Sequence, residues 1–88
     1  MRLAKMRAIS REYGEPESTI YWRVSLGTFA PPIKQGPRAA AFIVEEVEAV
    51  MRARAAGAST EEIKALVRRL VADRKAAAPA IDSVERAA

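Results

Sequence analysis

The sequence predicts a mainly α domain in which a helix-turn-helix is followed by a short two-stranded β hairpin, a third helix and an extra C-terminal amphipathic helix. Three observations lead there. Nineteen of the 88 residues are Ala, the best helix former. Gly14, Gly27 and Gly57 each close a stretch in which apolar residues recur at helical spacing. Pro31, Pro32, Gly36 and Pro37 crowd a stretch that breaks this period.

Leu3, Met6, Ile9 and Tyr13 define the first helix, and Gly14 stops it. Nothing before Leu3 caps it, so its start is left open. Pro16 suits the first turn of the second helix, where its missing N–H would have had no partner. This helix runs to Leu26 and ends at Gly27. Two helices of about ten residues joined by a short Gly-containing turn form a helix-turn-helix. Ile33-Lys34 and Ala40–Ile43 read as strands around the turn Gln35-Gly36-Pro37-Arg38. A hairpin in that position is a wing, and strands this short need the helices for support. The third helix spans Val44 to Ala56, with Val44, Val47, Val50 and Met51 as its apolar stripe. Ser59-Thr60-Glu61-Glu62 is a capping box, and Ile63, Leu66, Val67, Leu70 and Val71 follow it at amphipathic spacing. Residues 1–58 are thus expected to form the winged helix-turn-helix domain. Residues 59–75 form the extra helix, and 76–88 a flexible tail.

Composition excludes whole classes of chemistry. Of 44 hydrophobic residues, 25 are larger than Ala, which is enough for one thin core. With only two Phe, two Tyr and one Trp, a β-sandwich is a poor fit. Cys and His are both absent. The chain therefore has no thiolate nucleophile, no zinc finger and none of the commonest general base. Glu45, Glu46 and Glu48 lie near a helix N-terminus, where carboxylates stabilise the dipole. No catalytic residue, cofactor site or metal site is expected. The net charge is +4, and residues 1–38 carry seven Lys/Arg against three Glu. That excess favours a polyanionic partner. No apolar run has the length of a membrane span, and the start has no signal-peptide core, so a cytoplasmic, nucleoid-associated location is expected.

The second helix carries the first candidate contacts. Ile20 and Val24, with Tyr21 beside them, are expected to face the core, while Ser18, Thr19, Trp22 and Arg23 project away from it. Ser, Thr and Arg on one helix face suit phosphates and base edges in a major groove. An outward Trp needs something to contact. Glu17 nearby repels phosphate and accepts only from the amino groups of cytosine or adenine. The hairpin carries the second set, Lys34 and Arg38, with Arg38 placed to enter a minor groove.

Residues 18–51 resemble the AlpA family of small bacterial and phage DNA-binding proteins. The shared pattern is Ser18-Thr19-Ile20-Tyr21, the bend Gly27-Thr28-Phe29, Ile33-Lys34-Gln35-Gly36-Pro37-Arg38, Phe42, and Glu46-Val47-Glu48-Ala49. With the preceding helix the resemblance covers residues 6–54. It departs from the family at Pro16 and Glu17, where a polar cap and a basic residue are usual. It departs again at Trp22, often basic, and at Phe42, typically Trp. The resemblance implies a MerR-like winged helix-turn-helix. It also implies a role as an excisionase (recombination directionality factor) that directs an integrase, a tyrosine or serine recombinase, to excise a mobile element. The alternative role is a transcriptional regulator of integrase or excision genes, and a more distant one is a protein-interaction adaptor.

The expected partners are double-stranded DNA, an integrase and further copies of the chain bound alongside on DNA. One small module covers about one half-site, so useful affinity calls for several copies. The apolar stripe of residues 63–71 offers a surface for such association. The competing account makes that stripe a lid over the domain's own third helix.

Overall fold

A computed structural model describes residues 1–76. The elements in chain order are β1 (Leu3–Ala4), α1 (Met6–Tyr13), α2 (Glu17–Leu26), β2 (Ile33–Gly36), β3 (Ala39–Ile43), α3 (Val44–Ala55) and α4 (Thr60–Ala76). Four helices therefore accompany a three-stranded antiparallel sheet of order β1-β3-β2. The tail expected at 76–88 lies, beyond Ala76, outside the described residues.

Local signals account for most of these boundaries. Gly14 and Gly27 adopt φ of 65° and 79°, the left-handed conformation that a β-carbon disfavours, and each ends its helix there. The turn between α1 and α2 is tied by the Glu15 amide donating to the Ser10 carbonyl at 3.1 Å. The Ser10 hydroxyl in turn donates to the Glu15 carbonyl. β2 and β3 pair around Pro37-Arg38 with Ile33 opposite Ala41 and Lys34 opposite Ala40. An irregularity between Lys34 and Gly36 places Gly36 opposite Ala39, leaving Gln35 as the extra residue.

The sheet has one strand more than the two expected. Leu3, assigned by its spacing to the first helix, lies instead in β1, opposite Ile43, with Ala4 opposite Phe42. The first helix starts at Met6. The pairing satisfies backbone groups of β3 that β2 leaves free, and the contact extends past the strand. The Val44 amide donates to the Arg2 carbonyl at 2.9 Å, and the Arg2 amide donates to the Glu45 carboxylate at 3.0 Å. This amide holds the Glu45 carboxyl below the usual range. The Arg2 guanidinium also lies 3.3 Å from Glu48, so two of the three glutamates of α3 anchor the N-terminal strand.

The core draws on every helix. Ile9 of α1, Ile20 of α2, Val47 and Val50 of α3, and Ile63 and Val67 of α4 are buried with Phe29 and Phe42. The two phenylalanine rings meet edge to face at 5.7 Å. Leu66, Leu70 and Val71 complete the α4 stripe and pack against the same cluster. The α4 stripe thus packs over α3 and the core of its own chain. A thin core explains this, since three short helices and a small sheet leave one side of α3 uncovered.

Polar contacts hold α4 at both ends. At its start the Ser59 amide donates to Glu62 at 2.8 Å, and the Glu62 amide donates to the Ser59 hydroxyl at 3.1 Å. This is the reciprocal capping box expected from the spacing. Near its end Arg74 forms a two-pronged ion pair with Glu46 and donates to the Pro31 carbonyl at 2.7 Å. Glu46 is only 7% exposed, and Arg74 is the cation that pairs with its carboxylate.

The capping box has a pH signature. The Ser59 amide, with its hydroxyl second, lowers the Glu62 carboxyl from its ordinary 4.5. A depressed carboxyl stabilises the fold above the unfolded value, and this contribution disappears as pH falls through the folded one. Glu62→Gln keeps the hydrogen bond but not the titration. Denaturant midpoints of the wild type are expected to fall more steeply below pH 4.5 than those of Glu62→Gln. Parallel curves would show that the box does not hold.

Candidate nucleic-acid interface

Helix α2 is buried along one side only. Ile20 is 1% exposed and Val24 half-buried, and four residues apart they fill the narrow arc that meets the core. Ser18, Tyr21, Trp22 and Ser25 lie at i, i+3, i+4 and i+7 on the opposite side, all exposed, with Leu26 beside them. The expected inward position of Tyr21 is therefore corrected, for its side chain is 58% exposed. One helical step of about 100° carries it off the Ile20–Val24 arc.

Tyr21 opens instead onto a groove of about 440 Å³ between α1, α2 and the hairpin. Met6, Pro32, Ala40 and Phe42 contribute its apolar lining. Its charged lining is Lys5 and Arg7 from the start of α1, Arg38 from the hairpin turn, and Glu17 from the first turn of α2. Among the described residues none of these three cations has a carboxylate within 4.0 Å. Three cations thus converge on one groove with a single carboxylate opposing them.

The six residues expected to touch a ligand are not placed alike. Ser18 and Trp22 are exposed on α2, and Thr19 is half-buried on its flank. Lys34 is exposed on β2 and Arg38 on the turn, but only Arg38 lines the groove. Arg23 does not project freely. Its guanidinium lies 2.8 Å from the Glu15 carboxylate, with its side chain 25% exposed. Arg54 of α3 is close enough to feel the charge of Arg23. Burial first, then Arg23, lowers the Arg54 pKa, and Glu15 opposes that effect. Arg54 also donates to the Thr28 carbonyl at 3.0 Å. Glu15, Arg23 and Arg54 therefore brace the α1–α2 turn and the bend after α2.

Lys5, Arg7 and Tyr21 line the groove without being singled out by the sequence pattern. The signal for the two cations was the charge excess of residues 1–38, which shows a basic segment but not which side chains meet. Among the described residues no group of three or more Asp or Glu side chains is placed to hold a metal ion. No helix among them is long and apolar enough to cross a membrane. No protein-family model, curated protein or solved structure matches the chain.

Proposed function

We propose that this chain is a sequence-specific DNA-binding protein of the MerR-like winged helix-turn-helix kind. In this reading α1 and α2 are the helix-turn-helix, α2 is the recognition helix and the β2–β3 hairpin is the wing. The observation that carries it is the convergence of Lys5, Arg7 and Arg38 beside the exposed face of α2. A ten-residue helix is about 15 Å long and fits a major groove about 12 Å wide. Cations gathered beside it meet a phosphate strand that borders such a groove. The protein works by binding and positioning DNA, with no catalytic step of its own.

The resemblance to the AlpA family supports a role at a mobile element, as an excisionase that sets the direction of an integrase. Both this role and gene regulation use the same contacts. Band-shift titrations on duplex DNA test the binding, and log K is expected to fall linearly with log salt. Binding that is absent at low salt, or that ignores salt, overturns the reading. Excision assays with an integrase and its attachment sites separate excisionase from regulator.

A further inference from the structure

The exposed face of α2 holds aromatic rings where a helix that reads guanine would hold a free cation. Tyr21, Trp22 and Leu26 are 58%, 60% and 45% exposed. Arg23 is the one cation in the helix, and Glu15 already pairs with it. A bidentate arginine on guanine O6 and N7, the commonest specific base contact, is therefore not available from α2. The Ser25 hydroxyl donates to the Trp22 carbonyl and is committed to the helix itself. Glu17, at the groove, can only accept, so it suits the amino groups of adenine or cytosine and not guanine O6 and N7.

We infer that α2 reads thymine methyl groups, with Tyr21 and Trp22 as the specificity-determining side chains. This deepens the DNA-binding reading and rests on it. The C5-methyl of thymine is the apolar group that base pairs present in the major groove. Two exposed aromatic rings on adjacent positions offer a large apolar contact for it at little conformational cost. The occupant is duplex DNA rather than another protein because unpaired cations border the face through Lys5, Arg7 and Arg38. Their charge complements the phosphate backbone that runs beside the methyl groups. Thymine also places adenine across the pair, whose amino group Glu17 can accept from. The preferred sites are then rich in A·T pairs and contacted through the major groove.

The test uses the full chain and duplexes recovered by selection from a randomised pool. Each thymine is replaced in turn by deoxyuridine, which keeps base pairing and removes only the methyl group. Wild-type affinity is expected to fall about four-fold for each contacted methyl, the value of one buried methylene-sized group. The slope against salt stays the same, because phosphate contacts are untouched. Trp22→Ala and Tyr21→Ala are each expected to bind the thymine duplex more weakly and to lose the penalty at the methyl groups that the removed ring contacts. Both side chains are exposed, so the variants keep their melting temperature, and thermal unfolding checks this. Equal wild-type affinity for thymine and deoxyuridine duplexes overturns the inference while leaving DNA binding in place. A full methyl penalty retained in both variants also overturns it. No binding to any duplex at low salt, with self-association lost in Trp22→Ala, assigns the face to a protein and overturns the DNA reading as well.

Discussion

Truncation after Gly57 is expected to abolish cooperative thermal unfolding rather than to leave a smaller folded domain. Removing α4 uncovers Val47 and Val50, which are fully buried, and deletes Ile63 and Val67 from the same cluster. Each buried aliphatic side chain contributes roughly 1.5–3 kcal/mol, and Leu66, Leu70 and Val71 add partial shares. Whole-domain stability is typically about 5–15 kcal/mol, and small chains lie at the low end. The loss therefore matches the total. Circular dichroism melts of the two forms check it. A truncated form that melts cooperatively near the wild-type temperature, but no longer fills adjacent DNA sites together, would make α4 an association element. Arg74→Met tests the same packing without deleting the helix. It leaves the buried Glu46 carboxylate unpaired and is expected to cost about 3 kcal/mol, the low end for a broken buried pair, because Arg74 keeps 22% side-chain exposure. Adding Glu46→Leu is expected to recover most of that loss.

Neutralising Lys5, Arg7 and Arg38 together, each to Gln, is expected to weaken DNA binding to every sequence alike. The slope of log K against log salt should flatten by about 0.9 for each phosphate contact removed. None of the three has an ion-pair partner among the described residues, so the melting temperature should stay close to the wild-type value. The matching control removes the same charge from α4, at the exposed Arg68, Arg69 and Lys75, which lie outside the groove. There the slope is expected to hold. Equal flattening in both variants would mean that net charge, and not the groove, governs binding.

The groove was half legible before its geometry was known. Arg38 could be read as a site residue because Gly36 and Pro37 mark a turn, and a turn presents its side chains to solvent. The exposed position of Trp22 followed from its offset from Ile20 and Val24. Tyr21 sits at the edge of the apolar arc, where helical phase alone does not decide between core and groove. Helical phase leaves Arg23 free because its partner, Glu15, lies across a turn whose geometry the sequence does not specify.

What the sequence determined by itself are features whose causes lie within one turn of chain. The helix ends at Gly14 and Gly27, the Ser59–Glu62 box, the hairpin turn and the α4 stripe are all of this kind. Each rests on a backbone preference or on a partner three or four residues away. Only the tertiary structure decided where distant surfaces meet. It paired Leu3–Ala4 with Phe42–Ile43, closed α4 over α3, and joined Arg74 to Glu46 and Pro31. A two-residue strand has no period to read, and an apolar stripe shows that it must be covered but not by what. Such contacts form only after long loops close, so their partners are chosen by the space and unpaired groups that the rest of the fold leaves.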